Sequence, residues 1–211
     1  MTTVLLLVVA AALAVTDWAA VVRRDHRLRW VTKPGTMVAL IAAAIVGSEG
    51  VTGAVRWWIV VGLVLSLAGD VLLMLPEQWF VAGLAAFLLA HLAYIVGMLQ
   101  VDVSGVGALV GVVAVVVAAA LVGRRIVAGA ARSDPAMRAP VGAYLLVISA
   151  MVVVALGTGE PWLIVAAALF YCSDGILGWN RFVGHVSWMP LAVMVTYHLA
   201  QAGFTGFLVT R

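Results

Sequence analysis

The chain contains eight long apolar stretches, separated by short segments that hold most of its charged side chains. A membrane-spanning helix needs about 20 mostly apolar residues. On this criterion the spans run roughly over 4–22, 36–48, 56–75, 79–99, 104–122, 138–156, 161–179 and 186–208. The chain is 65% hydrophobic and 10% charged, whereas soluble domains keep about 25% of their residues charged. We therefore expect an all-α, polytopic transmembrane bundle of eight helices, forming a single domain over residues 1–211.

The basic residues are distributed unevenly between the two sides of this predicted bundle. Ten of the 12 Lys and Arg residues fall on one side, and only Arg56 and Arg211 fall on the other. Because basic loops stay on the cytoplasmic side, both termini are expected to face outward. The pattern explains the basic charge better than nucleic-acid binding does, and anionic lipid headgroups remain an alternative partner. The ten are Arg23, Arg24, Arg27, Arg29, Lys33, Arg124, Arg125, Arg132, Arg138 and Arg181.

The first apolar stretch lacks the positive region that precedes the apolar core of a signal peptide, so we interpret it as a retained helix. The composition, rich in Ala, Val and Gly, is typical of a bacterial chain. We therefore expect a multi-pass protein of the bacterial inner membrane.

Three carboxylates fall inside the predicted spans: Asp17, Asp70 and Asp174. An ionisable side chain is costly in a membrane and is a functional hypothesis by default. Each of the three lies about five residues before the predicted inner end of its span, which indicates a site open to the cytoplasm. We assign Asp70 and Asp174 to catalysis. Asp17 precedes Trp18 near the basic loop, and we expect it to pair with an arginine there.

Other polar side chains are candidates to support these carboxylates. His91 and Tyr94 share one helix face at i, i+3, and Lys33 with Pro34 is expected to open the second helix at the cytoplasmic face. Polar side chains in membrane helices often only bridge neighbouring helices, and this alternative stays open for the tyrosines and for Gln201. The candidate supporting residues are His91, Tyr94, Ser173, Tyr144, Asn180, Tyr197 and Lys33.

Three pairs of residues suggest an internal repeat. Pro34 and Pro140 are 106 residues apart, and Asp70 and Asp174 are 104 apart. Tyr94 and Tyr197 are separated by 103 residues. These spacings predict a parallel repeat of four plus four helices. Such a repeat would bring the third and seventh helices face to face around one cavity.

Two carboxylates in one apolar cavity are not easily ionised together, so we expect a protonated acid beside a carboxylate base. Such a pair suits hydrolysis of an acetal-like bond. No HExxH or GxSxG motif occurs, and the single cysteine, Cys172, excludes an internal disulfide and a multi-cysteine metal site. A zinc site from His91, His198 and an aspartate remains an alternative. The predicted chemistry needs neither a metal nor an organic cofactor.

Several motifs resemble the YhhN family of membrane proteins. They are "TKP" before the second helix, "SLAGDVLLM", "FLLAHLAYIVG", "LFYCSDGILGWNRF" and "TYHLAQ". The resemblance spans nearly the whole chain and implies eight helices. It also implies lysoplasmalogenase activity, which is hydrolysis of the vinyl ether bond of a lysoplasmalogen to a fatty aldehyde and a glycerophospho-choline or -ethanolamine. The family's two essential aspartates correspond to Asp70 and Asp174.

The resemblance and the residues combine into one expected mechanism. One aspartate protonates the vinyl ether, and the other acts as base and stabilises the cation. His91 or Tyr94 holds water or relays a proton, and Lys33, with Arg181, holds the substrate phosphate. The expected partners are a lysophospholipid or ether-lipid substrate and the membrane lipids. Another lysolipid as substrate, a proton-coupled transporter and a structural protein remain the alternatives.

Overall fold

A computed structural model describes residues 1–48, 50–51 and 53–210, and within these ranges the chain is helical with no strand. Eight helical segments are long and apolar enough to cross a membrane, which confirms the predicted all-α bundle. Arg211, which we counted among the outer basic residues, lies outside the described residues. The helices are α1 Thr2–Arg23, α2 His26–Gly47, α3 Gly53–Met74, α4 Phe80–Met98, α5 Gly105–Ala118, α6 Arg124–Ser133, α7 Arg138–Thr158, α8 Pro161–Phe182 and α9 Met189–Val209.

Helices that are next to one another in sequence, or separated by one short helix, form most of the packing. The closely packed pairs are α1 with α2, α3 with α4, α5 with α7, and α8 with α9. The two halves of the bundle meet where α4 packs against α7 and where α2 packs against α9. The core includes the buried rings of Phe87, Tyr94, Phe170, Phe204 and Phe207. Many valines and leucines are exposed on the outside, as expected for helices that face lipid.

Helix α2 begins ten residues earlier than the predicted start at residue 36, because it runs from His26 to Gly47. The Asp25 side chain accepts a hydrogen bond from the Leu28 backbone N–H at 3.0 Å and so caps the first turn. Pro34 therefore lies inside the helix instead of at its start. Proline is tolerated within membrane helices, and hydropathy missed this part of α2 because it is polar.

The fifth connecting segment is largely helical, which also differs from the expected loop. A π-helical turn, Ala119–Gly123, joins α5 to α6, and a short 3₁₀ turn at Pro135–Met137 leads into α7. Ile126, Gly129 and Ala130 of α6 are buried, while Arg124, Arg125 and Arg132 are exposed. This amphipathic pattern explains why the segment is helical, because α6 packs its apolar face on α8.

The structure does not confirm the four-plus-four repeat. Helices α3 and α8 do not pack face to face; within the described chain, each packs more closely with other helices. Rings from α4, α8 and α9 meet in this region, with Phe87 in edge contact with Phe170 and Tyr197. The two carboxylates on α3 and α8 therefore have different surroundings.

Candidate active site

The strongest candidate for an active site is a largely apolar cavity of about 90 Å³ beside the second half of α8. We call it the catalytic cavity. Its polar lining comes mainly from Tyr144, Tyr171, Asp174 and Arg181. The apolar lining comes from Leu73, Phe80, Leu84, Phe87, Ala118, Val122, Ile126, Val141, Leu145, Ile148, Leu177 and Phe182. This lining is suited to contact the apolar part of a ligand next to a carboxylate.

Asp174 is the carboxylate of this cavity, and two side chains adjoin it. The Tyr144 hydroxyl on α7 donates a hydrogen bond to Asp174 Oδ2. His91 on α4 brings its Nε2 to 3.7 Å from the same oxygen. The Asp174 side chain is 13% exposed, whereas His91 is fully buried. We call Asp174, Tyr144 and His91 the Asp174 cluster.

His91 is held by aromatic packing. Its ring lies edge-on to Phe170, with centroids 4.6 Å apart, and edge-on to Tyr144 at 5.3 Å. Nε2 of His91 has no hydrogen-bond partner among the described residues. A buried polar group without a partner is costly, so this nitrogen is suited to bind a water molecule or a substrate atom.

Asp70 has a different environment and does not line the catalytic cavity. Lys33 Nζ on α2 lies 2.9 Å from Asp70 Oδ1, and both side chains are buried. The Tyr197 hydroxyl on α9 donates a 2.6 Å hydrogen bond to Asp70 Oδ2. Lys33 was expected at the membrane surface, and the structure corrects this: the early start of α2 buries it beside Asp70. We call Lys33, Asp70 and Tyr197 the Asp70 cluster.

Aromatic rings connect the two clusters. The Tyr197 ring is in edge contact with Phe170 at 5.5 Å between centroids, and Phe170 packs on His91. Asp70 and Asp174 form no hydrogen bond with each other in the described chain. The structure thus brings Asp174, Tyr144 and His91 together, and separately Asp70, Lys33 and Tyr197.

Three other predicted residues contact helix or loop partners instead of either carboxylate. Ser173 Oγ donates to the Val193 carbonyl at 3.1 Å, and the Tyr94 hydroxyl donates to Gln201 Oε1 at 2.6 Å. Asn180 Oδ1 accepts a 2.7 Å hydrogen bond from His185 Nδ1 near the end of α8. These contacts resemble the bridging role that membrane helices commonly give to polar side chains.

Asp17 pairs with the basic segment as expected. Arg29 Nε lies 3.4 Å from Asp17 Oδ1, and the Thr32 hydroxyl donates to the same oxygen at 3.0 Å.

The ligands proposed for the zinc alternative are not brought together. Nδ1 of His198 accepts a 3.0 Å hydrogen bond from Trp18, whereas His91 adjoins Asp174. Over the described residues there is no group of three or more His, Cys, Asp or Glu side chains that could hold a metal ion.

Glu77 contacts a residue of this site but was not predicted from the sequence, whereas its partner Arg181 was. Arg181 lines the cavity, forms an ion pair with Glu77 and lies 3.6 Å from the centroid of the Phe80 ring. Glu77 lies between two spans, 104 residues from Arg181, so no local pattern links them.

Comparison with known proteins identifies the relatives of this chain. The YhhN family model matches residues 28–208. A lysoplasmalogenase of Mycobacterium tuberculosis is 35% identical over 184 residues, which cover 83% of this chain and 69% of the relative. The human lysoplasmalogenase TMEM86B is 34% identical over 150 residues, covering 66% of this chain and 58% of the human protein. No solved structure gives a significant match.

Proposed function

We propose, because this chain belongs to the YhhN family, that it is a membrane-embedded hydrolase of the vinyl ether bond of lysoplasmalogens. The products are a fatty aldehyde and a glycerophospho-choline or -ethanolamine. The relatives named lysoplasmalogenase support this reaction. The observation that carries the proposal is a carboxyl group, Asp174, in the wall of a largely apolar cavity. Hydrolysis of an acid-labile bond next to a lipid tail needs a proton donor in apolar surroundings.

The reaction begins with proton transfer from the Asp174 carboxyl group to the outer carbon of the vinyl ether double bond. The π electrons form the new C–H bond, and the carbon attached to oxygen becomes an oxocarbenium ion. Asp174 is now a carboxylate and stabilises this cation electrostatically. The Tyr144 hydroxyl, which donates to Asp174 Oδ2, orients the carboxyl group for the transfer.

Water then completes the hydrolysis. A water molecule held by His91 attacks the oxocarbenium carbon and loses one proton to the Asp174 carboxylate. The product of this addition is a hemiacetal. The hemiacetal collapses: its hydroxyl proton moves to the ether oxygen as the C–O bond breaks, and aldehyde and alcohol separate. The 3.7 Å between His91 Nε2 and Asp174 Oδ2 supports a water position near both groups. One carboxyl group serves as acid and then as base.

Asp70 enters this proposal as a positioning residue. Its charge is compensated by Lys33 at 2.9 Å, and it holds Tyr197, whose ring packs against Phe170. Phe170 in turn packs against His91. The paired acid–base role for Asp70 expected from the sequence remains the competing prediction.

Arg181 is the better candidate for the substrate phosphate than Lys33. Arg181 lines the cavity and has a planar guanidinium that suits phosphate. Lys33 is buried in its ion pair with Asp70, whereas Arg181 pairs with the exposed side chain of Glu77. The fatty chain would lie along the apolar wall, with the headgroup at Arg181.

The experiment that tests the reaction measures aldehyde release by purified protein in detergent. A lysoplasmalogen is compared with a lysolipid whose alkyl ether is saturated, since only the vinyl ether can be protonated on carbon. We expect aldehyde from the vinyl ether alone. Asp174→Asn should lose activity by about 10²-fold to 10⁴-fold. No aldehyde from folded protein would contradict the proposal and favour another lysolipid substrate.

The same assay separates the roles of the two aspartates. Asp70→Asn should lower kcat by about tenfold while KM and the shape of the pH profile stay unchanged, because Asp70 transfers no proton in this scheme. Tyr197→Phe, which keeps the ring but removes the hydroxyl that Asp70 holds, should show a loss similar to that of Asp70→Asn. If Asp70→Asn is as inactive as Asp174→Asn and remains folded, the paired acid–base mechanism is the correct one.

A proton-coupled transporter is a second candidate, favoured by the buried ion pair Lys33–Asp70 and the partly buried pair Arg29–Asp17. Charged groups inside a membrane often mark ion pathways. Sealed vesicles distinguish the two functions. Proton uptake that depends on a solute gradient would support transport, whereas activity retained in detergent supports the hydrolase.

A further inference from the structure

A second, larger cavity lies at the turn between α1 and α2 and at the segment that leads into α9. Its volume is about 630 Å³, and none of its lining residues belongs to the catalytic cavity. We call it the basic crevice. It is lined by Val21, Val22, Arg24, His26, Arg29, His185, Ser187, Trp188, Pro190 and Leu191.

The titratable side chains that line the basic crevice are two arginines and two histidines, and no lining residue in the described chain is acidic. Arg29 is engaged with buried Asp17, and His185 donates to Asn180. The side chains of Arg24 and His26 make no hydrogen bond or ion pair with any described residue, and both residues are exposed. The crevice therefore presents two unpaired basic side chains, Arg24 and His26, both from the turn between α1 and α2.

Arg24 has a backbone conformation that is unusual for an arginine. Arg24 has φ 57° and ψ 32°, and it is the sole non-glycine residue of the described chain with positive φ. It ends α1, a position at which glycine is the common residue. A side chain in the left-handed region costs about 1–2 kcal/mol relative to the right-handed one. The chain carries this cost at a residue that lines the crevice.

The rim of the crevice is apolar on one side. Val22 is 66% exposed and Trp188 is 56% exposed. Tryptophan is enriched where a membrane meets water, and basic pockets between helices at that level bind phosphate-bearing headgroups. The crevice thus combines cationic walls with a rim suited to acyl chains.

We propose that the basic crevice binds a phosphate group, carried by an anionic phospholipid headgroup or by a soluble phosphate ester. Arg24 and His26 provide the free donors, and Trp188 contacts the part of the ligand next to the phosphate. The site is separate from the catalytic cavity and does not depend on the proposed hydrolase activity.

The test titrates the full chain in neutral detergent with short-chain phosphatidylglycerol and follows tryptophan fluorescence. Matched phosphatidylcholine and glycerol 3-phosphate are the other two ligands. We expect phosphatidylglycerol to bind at least about tenfold more tightly than phosphatidylcholine, with an affinity that falls as salt is added. Competition by glycerol 3-phosphate at similar concentrations identifies a soluble ester as the ligand. If glycerol 3-phosphate does not compete, the ligand is the lipid headgroup.

Two variants keep the test independent of folding. Arg24→Gly removes the charge and relieves the backbone, so it should raise the thermal unfolding temperature while weakening phosphatidylglycerol binding about fivefold. His26→Gln should weaken binding without a change in stability. Arg132→Gln, which removes an exposed charge on α6 that does not line the crevice, is the control and should bind as the parent does. Equal binding of the two lipids, or equal loss in Arg24→Gly and Arg132→Gln, would overturn the proposal.

Discussion

At the scale of single residues, Asp174 and its hydroxyl donor define the proposed chemistry. The Tyr144 hydroxyl donates to Asp174 Oδ2, while a second tyrosine of the same cavity, Tyr171, has Ser149 as its hydrogen-bond partner. The cavity therefore contains two phenols, of which one contacts the reacting carboxyl group. This difference permits a matched comparison.

We predict that Tyr144→Phe lowers kcat by about tenfold to 100-fold, because Asp174 loses the hydroxyl that orients it. KM for the lysoplasmalogen should change little, since the aromatic ring remains. Steady-state aldehyde release measures both constants. Tyr171→Phe, the control, should stay within about twofold of the parent, and equal losses in the two variants would contradict a specific role for Tyr144.

The ion pair of Lys33 and Asp70 makes a prediction about stability. Lys33→Met leaves the buried Asp70 carboxylate without its cation, and we expect a loss of about 3–5 kcal/mol in the free energy of unfolding. The double variant Lys33→Met with Asp70→Asn should recover most of that loss because no charge is left unpaired. Thermal unfolding in detergent compares the stability of the parent, Lys33→Met and the double variant. A double variant no more stable than Lys33→Met would show that the pair is not the cause.

At the scale of helices, α6 forms part of the active-site wall instead of a loop. Ile126 lines the catalytic cavity, and α6 approaches the end of α8 closely at Gly129. A Cβ atom on Gly129 would lie 2.2 Å from the Phe182 carbonyl oxygen, so only glycine fits. The π-helical turn before α6 also contributes Val122 and Gly123 to the cavity, as π turns often do at functional sites.

We predict that Gly129→Ala destabilises the protein by about 1–3 kcal/mol and raises KM, because α6 must move away from α8. The control is Gly142→Ala on α7, where the new methyl group meets no atom within 4 Å. That change should be neutral or stabilise the helix by up to about 1 kcal/mol. Thermal unfolding and aldehyde release test both variants, and an unchanged Gly129→Ala protein would be evidence against this packing.

At the scale of the whole molecule, orientation in the membrane follows from the basic segments. The end of α1, the start of α2, the end of α8 and the exposed face of α6 carry most of the arginines. The orientation that we propose has this end of the bundle in the cytoplasm and both termini outside. The catalytic cavity, which Arg181 lines, then opens toward the cytoplasmic side.

Cysteine labelling tests this orientation. Cys172 is the single cysteine, so Cys172→Ser provides a background without thiols. In intact cells, a membrane-impermeant maleimide should label Thr2→Cys and should label Arg132→Cys only after permeabilisation. The reverse pattern would mean that the bundle is inserted with its basic end outward.

The sequence by itself determined the eight spans and the family, because apolar length and short motifs are local properties of the chain; the catalytic role of Asp70 and Asp174 stays a prediction. Local patterns also indicated that Asp17 pairs with an arginine. Hydropathy misjudged the polar start of α2 and the amphipathic α6, since both depend on what the helix packs against. Only the tertiary structure decided that Asp174 adjoins Tyr144 and His91 while Asp70 adjoins Lys33 and Tyr197. The reason is physical: which side chains meet depends on the rotation and the neighbours of each helix, and composition and spacing along one helix do not specify either.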